Sequence, residues 1–177
     1  IRILQPGDEA ALETFLLPHI DSSMFLIGNL RAGGLVDEGQ FYQATYAVAE
    51  ENGQIVGVVA HTWMQNLLFQ APVYGDELIR AAVRASGRGI MGLVGPDEQV
   101  CAAKVMLGLA EVELPMDEAE NLYRLQLADL VEPQALKAGQ VRGRRIEARD
   151  VDLVTDWRVA YSVEALGEEE TPALHAK

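Results

Sequence analysis

The sequence predicts an α/β (α+β) protein with a mixed central sheet of about six to seven strands flanked by helices. Two strand-like segments meet at Asn52 and Gly53, a pair that strongly favours a tight hairpin turn. A strand then leads directly into an amphipathic helix within residues 65–86. Beyond this point strands and helices alternate, which together with the hairpin implies a mixed sheet with helices packed on its faces.

Composition limits the function classes. The chain has 177 residues, of which 49% are hydrophobic and 23% charged, enough for one globular domain or one domain plus a fragment. A net charge of −13 disfavours nucleic acid and anionic membranes as partners. Without a long apolar run or a signal-peptide pattern, the expected compartment is the cytoplasm. The single cysteine, Cys101, is predicted to be a small buried hydrophobe.

The first elements are predicted to be a strand and two helices. Residues 1–5 indicate a short strand, and helices follow at Asp8 and at the N-cap segment 21–23. The second helix places Phe25 on its apolar face and ends at Gly33.

A hairpin and a third strand come next. Residues 44–51 alternate in polarity, and residues 54–63 return as a strand. The returning strand is nearly continuous in valine and alanine, so both of its faces should be covered. Residues 67–70 predict the next strand, which ends at Pro72 because proline cannot donate to a strand ladder.

The following segments alternate between helix and strand. We predict a helix at about 74–86, a turn at 87–89 and a buried strand at 90–94. Asp97 caps another helix, and residues 121–130 alternate as a final strand.

The start of the pattern then recurs. Residues 144–150, with the helix after them, repeat the strand, turn and helix of residues 2–16, although two such openings also resemble each other by chance. We predict a first domain at 1–131, a linker at 132–141, and the truncated start of a second, similar domain at 142–177.

The element order, the hairpin sequence VAEENGQIVGVV and the recurrence after Arg144 resemble the GCN5-related N-acetyltransferase superfamily. More specifically, the chain is similar to the N-terminal half of a two-domain member. The resemblance implies an acyl-CoA N-acyltransferase-like fold and acetyl transfer from acetyl-CoA, as co-substrate, to an amine of unknown identity. It leaves open a dimer. The alternative is a non-catalytic structural or ligand-binding module with the same fold.

The phosphate loop of that family is degenerate here. The family pattern, Gln/Arg-x-x-Gly-x-Gly/Ala between the fourth strand and the long helix, falls on residues 71–76, where only Gly75 matches. Asp76 and Glu77 place negative charge where the resemblance would place a pyrophosphate. Both carboxylates also suit a helix N-terminus, so simple capping is the alternative. We therefore expect the acetyl-CoA site in the second half of the protein and this chain alone to be inactive.

A second copy of the loop pattern lies in the wrong context. The sequence RASGRG supplies Arg84, Gly87 and Gly89, but it follows a helix and precedes a strand. These three residues and Gly75 are the cofactor-binding candidates, and the alternative for the RASGRG segment is a helix C-cap and turn.

The family's catalytic tyrosine has no counterpart in the expected helix. The resemblance implies a tyrosine after the fifth strand, but residues 97–108 contain none. Tyr161 and Glu164, on the first helix of the second opening, are the catalytic candidates, and the alternative is that they are packing and surface residues. Tyr74 and Tyr123 are interpreted as half-buried packing residues.

The histidines do not predict a metal site. Their spacing differs from that of zinc ligands, so no metal is expected. His61 ends a buried strand, and we interpret it as a hydrogen-bonded structural histidine.

Overall fold

The computed structural model describes residues 1–175 as two compact units, Ile1–Arg124 and a second unit that begins at Leu125. The first unit contains one mixed sheet flanked by helices. Its strands are β1 (Arg2–Ile3), β2 (Ala44–Glu51), β3 (Gln54–Thr62), β4 (Asn66–Gln70) and β5 (Gly92–Val94). Its α-helices are α1 (Glu9–Leu16), α2 (Ile20–Gly33), α3 (Gly75–Ser86) and α4 (Asp97–Met106).

The five strands lie in the sheet in their sequence order. Neighbours from β1 to β4 are antiparallel, whereas β4 and β5 are parallel and are joined through α3. The predicted hairpin between β2 and β3 is confirmed, and Asn52 and Gly53 both have positive φ, as its tight turn requires.

Both faces of the sheet are covered, as the composition of β3 predicted. Val58 and Ala60 pack in one core cluster, which includes the buried leucines of α1 and α2. Val59 faces the opposite way and packs in a second cluster, which includes Leu78 and Ile79 of α3. This division follows from the two-residue side-chain period of a strand. The sheet therefore separates two apolar cores.

The prediction of six to seven strands is wrong, since the described residues contain five. Residues 121–130 contain only a short 3₁₀ turn, Leu127–Asp129, and Tyr123 and Leu127 are exposed. Alternating polarity does not form a strand without a neighbour to pair with, because strand stability comes from cross-strand contacts. The interpretation of Tyr123 as a half-buried packing residue is wrong for the same reason.

The second unit contains helices but, among its described residues, no strand. They are α5 (Gln134–Lys137), α6 (Val151–Leu166) and α7 (Pro172–His175). The helix of the recurring pattern is thus present as α6. Its expected strand is absent: Ile146 is exposed, and Arg144 instead pairs with Asp150 at 2.5 Å, just before α6.

Helix α2 begins earlier than the sequence indicated. It starts at Ile20, directly after a 3₁₀ turn, and is kinked at Ser23, where φ is −115° and ψ is 15°. The hydroxyls of Ser22 and Ser23 donate to Oε1 of Gln70 at 2.9 and 3.2 Å, so they bind β4 instead of capping the helix. Leu26, Ile27 and Leu30 form the buried face, which leaves Phe25 exposed.

Two smaller predictions are also corrected. Cys101 is exposed, because α4 turns Ala103 toward the core and a position two residues away points elsewhere. The strand predicted at 90–94 is shorter and less buried than expected. It pairs only with β4 at the edge of the sheet, so Val94 keeps substantial exposure.

Replacing Leu67 with alanine should destabilise the first unit by about 2–5 kcal/mol, since its fully buried side chain would leave a cavity in the core beneath α3. Urea unfolding followed by circular dichroism measures this change. Leu122→Ala, at an exposed position, is the matched control and should change the free energy of unfolding by less than about 0.5 kcal/mol. Equal losses for the two variants would contradict the assigned core.

Candidate functional site

A cleft of about 340 Å³ lies between the β4–α3 junction and α4. Pro72 and Tyr74 line it from the junction, Asp76 from the first turn of α3, and Glu98 and Gln99 from the first turn of α4. This is the position at which the sequence pattern placed a degenerate phosphate loop.

The junction follows a fixed path between β4 and α3. The backbone N–H of Ala71 donates to Oε1 of Gln99 at 2.7 Å, which joins the end of β4 to α4. Gly57 of β3 permits close approach, because a Cβ at that position would lie 3.1 Å from the carbonyl oxygen of Val73. Tyr74 precedes α3 with φ of 60°, a left-handed conformation that is uncommon for a tyrosine.

The Tyr74 side chain is anchored at the rim of the cleft. Its hydroxyl donates to Oε1 of Glu51 at 2.8 Å, and this hydrogen bond raises the pKa of Tyr74 above its ordinary value. Tyr74 is exposed, so its interpretation as a half-buried packing residue is wrong. The phenol keeps its proton at neutral pH.

The cleft is acidic at both helix N-termini. Asp76 and Glu77 lie in the first turn of α3, and Asp97 and Glu98 in the first turn of α4. Carboxylates at these positions stabilise the helices by opposing the positive end of each macrodipole. These carboxylates compensate the positive ends of both helices, and they would also repel an anion that entered the cleft.

Gly75 does not form a phosphate-binding turn. It is the first residue of α3, it lacks a positive φ, and a Cβ there would meet nothing within 4 Å. The geometry therefore requires no glycine for backbone rotation or for close approach.

The second loop-like sequence forms a helix end, as predicted. Gly87 has φ of 67°, and its N–H donates to the carbonyl oxygen of Val83 at 3.0 Å, which caps α3. The carbonyl oxygen of Gly89 accepts a hydrogen bond from His61. Arg84 is an exposed residue in the last turn of α3.

His61 is a hydrogen-bonded structural residue, as the sequence indicated. Its ring is fully buried, and burial lowers its pKa, so the neutral form is favoured. The Gly89 carbonyl can only accept, hence Nε2–H donates to it at 2.9 Å. Nδ1 therefore accepts from the Ser86 hydroxyl at 2.7 Å.

Arg88 and Asp37 form a mostly buried ion pair that sequence reasoning missed. The guanidinium makes two hydrogen bonds to the carboxylate, and its Nη1 also donates to the carbonyl oxygen of His61 at 3.1 Å. Thr45 donates to the same carboxylate at 2.5 Å. Burial alone would raise the pKa of Asp37, but the hydrogen bonds from Arg88, Thr45 and Gly39 lower it overall. The two partners are 51 residues apart, and no local pattern links them.

A second cavity of about 340 Å³ lies at the end of β1, lined by Pro6, Leu35, Asp37 and Thr45 among others. Asp37 accepts four hydrogen bonds, from Arg88 twice, from Thr45 and from the Gly39 N–H. Its two oxygens have therefore used their acceptor capacity within the protein.

The catalytic candidates lie on α6 in the second unit. Tyr161 and Glu164 are both exposed, as is Trp157 one turn earlier. The Arg158 guanidinium carbon lies 5.8 Å from the centre of the Tyr161 ring, a local cation–π contact. The exposure of Tyr161 and Glu164 is consistent with the alternative that they are surface residues.

Comparisons with known proteins identify no relative: no family model, curated protein or solved structure matches the chain. Within residues 1–175, no three His, Cys, Asp or Glu side chains group as metal ligands. None of the helices described in that range is both long and apolar enough to span a membrane.

His61 should make stability fall as the pH decreases. Its pKa is lowered in the folded state from the ordinary 6.5, so the unfolded chain binds the proton more readily. The stabilisation from the neutral ring is present above about pH 6.5 and is lost as the pH falls toward the folded-state pKa. Chemical denaturation at a series of pH values measures this slope.

His61→Gln should flatten that slope between about pH 7.5 and pH 5.5, while lowering stability at the higher pH by about 1–3 kcal/mol through lost hydrogen bonds. His19→Gln removes an exposed histidine and is the control that should keep the slope. An unchanged slope in His61→Gln would show that another group causes the pH dependence.

Proposed function

We propose that the chain is mainly the degenerate N-terminal half of an N-acetyltransferase of the GCN5-related superfamily. The whole protein transfers an acetyl group from acetyl-CoA to an amine. Residues 1–131 supply an acyl-CoA N-acyltransferase-like framework, and residues 142–177 begin the second such domain. The cytoplasm is the proposed compartment, and a dimer stays a prediction.

One observation carries the proposal: a parallel β4–β5 pair, bridged by α3, follows an antiparallel meander in a sheet with strand order β1 to β5. Two helices separate β1 from β2, as the family resemblance requires. The N-terminus of α3 borders an open cleft directly after β4. A helix N-terminus in this position is suited in principle to bind a phosphate group.

The composition of the cleft favours an acetyl-CoA site elsewhere in the proposed protein. Asp76 and Glu98 line the cleft, and Gly75 is an ordinary helical residue. Arg88 is engaged by Asp37, and Arg84 is on the last turn of α3, at the opposite end of that helix from the cleft. A pyrophosphate would meet carboxylates in place of a cradle of N–H donors.

Acetyl transfer also needs a base for the ammonium and an acid for the leaving thiolate. Helix α4 contains no tyrosine to serve as that acid. Tyr161 and Glu164 on α6 stay the candidates for acceptor-side roles in the second domain. The acidic chain would tolerate a cationic amine substrate.

A second candidate function is a non-catalytic module that keeps the fold as a structural or ligand-binding unit. The acidic lining of the cleft favours it, because carboxylates at both helix N-termini suit a cationic ligand better than a nucleotide. The two candidates differ in whether acetyl transfer occurs anywhere in the protein.

Calorimetric titration of acetyl-CoA into this chain should detect no binding tighter than about 1 mM. The physical reason is the repulsion between the cofactor's phosphates and the carboxylates of the cleft. Micromolar binding that is lost in Arg84→Ala would contradict the proposal by showing that the RASGRG segment holds phosphate. Arg84→Ala is the informative variant because removing Arg88 would also leave Asp37 unpaired.

The natural coding sequence after Lys177 distinguishes the two candidates. The N-acetyltransferase proposal expects a strand, the pattern Gln/Arg-x-x-Gly-x-Gly/Ala and a helix, roughly 60 to 90 residues further on if the first domain's spacing repeats. A natural stop at Lys177 would contradict it and favour the non-catalytic module. Acetyl-CoA-dependent release of free thiol by the longer protein, in the presence of amines, then tests the activity itself.

A further inference from the structure

Three chain segments that carry five large apolar residues meet where β3 turns into β4: the Trp63 N–H donates to the Gln43 carbonyl oxygen at 3.0 Å, and the Met91 N–H donates to the Gln65 carbonyl oxygen at 2.8 Å. Phe41 is 78% exposed, Met91 77%, Met64 60% and Tyr42 52%, and Trp63 is half-buried. The Trp63 ring lies 5.4 Å from that of Tyr42 and 6.3 Å from that of Phe41, measured between centroids. These five residues are the aromatic surface. All belong to the first unit, and none lines the cleft at the β4–α3 junction.

The backbone beneath the aromatic surface is strained and firmly held. Tyr42 has φ of 67°, a conformation that costs an aromatic residue about 1 kcal/mol or more. A Cβ on Gly33 would lie 2.7 Å from the Tyr42 carbonyl oxygen, so only glycine lets α2 pack on that peptide. The N–H of Trp63 donates to the carbonyl oxygen of Gln43 at 3.0 Å. Contacts from two sides thus fix Tyr42 in a strained conformation that keeps its side chain exposed.

Charge near the aromatic surface is negative. In the contributing segments 37–43, 61–66 and 88–92, the charged residues are Asp37, Glu38 and Arg88, since the neutral form of His61 is favoured. Asp37 and Arg88 neutralise each other in their ion pair. The Glu38 N–H donates at 2.8 Å to the side chain of Gln43, the residue that follows Tyr42, and Glu38 is exposed.

These features fit a cation better than a second acidic chain. Aromatic ring faces attract cations, most strongly on tryptophan, and arginine stacks on such faces while its stem covers apolar neighbours. Two copies joined through this surface would bring two net charges of −13 together, which disfavours a second copy as the partner at this surface. Aromatic and methionine side chains spread over an open surface are also typical of protein interfaces, whereas small-molecule sites are concave.

We propose that the aromatic surface docks a segment of another protein that presents an arginine flanked by apolar residues. The guanidinium stacks on Trp63 near Glu38, and the apolar neighbours contact Phe41, Met64 and Met91. This interaction surface is separate from the proposed acetyl transfer and does not depend on it.

Fluorescence of Trp63 tests the proposal in the full chain. The chain has two tryptophans, so Trp157→Phe at an exposed position leaves Trp63 as the only reporter. The probe is a short peptide of alternating leucine and arginine, and its control replaces each arginine by citrulline, which keeps the shape and removes the charge. The arginine peptide should bind at least about tenfold more tightly than the citrulline peptide.

Tyr42→Gly separates a binding role from a structural one. Glycine adopts the observed φ without strain, so the thermal midpoint should not fall, while affinity for the arginine peptide should drop by about tenfold. Phe25→Ala removes an exposed aromatic residue from α2 and should leave affinity unchanged.

Three results would overturn the proposal. The first is equal binding of the arginine and citrulline peptides. The second is an affinity that Tyr42→Gly leaves unchanged, which would mean that the peptide binds by general attraction to an acidic chain. The third is concentration-dependent dimerisation, by analytical ultracentrifugation, that Tyr42→Gly abolishes, which would make a second copy the partner.

Discussion

The ion pair between Arg88 and Asp37 joins three parts of the first unit that are distant in sequence. It links the turn after α3, the loop before β2 and, through the His61 carbonyl oxygen, the end of β3. Both side chains are mostly buried, so removing one would leave the other charge uncompensated, a change that typically costs about 3–5 kcal/mol. The pair also occupies the arginine that a phosphate-binding interpretation of RASGRG would need.

The β4–α3 junction has the geometry of an anion site without its electrostatics. A helix N-terminus faces a cleft after a strand, yet carboxylates on α3 and α4 already compensate both helix ends. Gln99 and Glu51 fix the junction through hydrogen bonds to Ala71 and Tyr74, so its shape is maintained by the protein's own contacts. An anion in the cleft would therefore meet carboxylates at both helix N-termini.

Predictions succeeded where the residues of a short segment determine its conformation by themselves. They failed where the conformation depends on contacts with a segment distant in sequence. The turn at Asn52 and Gly53, the cap at Gly87 and the covered faces of β3 follow from local conformational preference and composition. Residues 121–130 have the polarity of a strand but no neighbour to pair with, so they stay irregular. Ser22 and Ser23 have good capping side chains, but Gln70, which lies 47 residues from Ser23, accepts their hydrogen bonds.

The sequence by itself determined the mixed α/β class, the order of the elements from β1 to α4 and the mismatch between residues 71–76 and a phosphate loop, because these depend on residue type and local spacing. Only the tertiary structure decided the five-strand sheet, the pairing of Arg88 with Asp37 and the convergence of Phe41, Tyr42, Trp63 and the two methionines. Each of these arises from contacts between distant segments, and such contacts leave no periodic signal in a single sequence. The cleft depends on both levels. Its acidic residues can be identified from the sequence, whereas their convergence from two helices depends on the parallel β4–β5 pair.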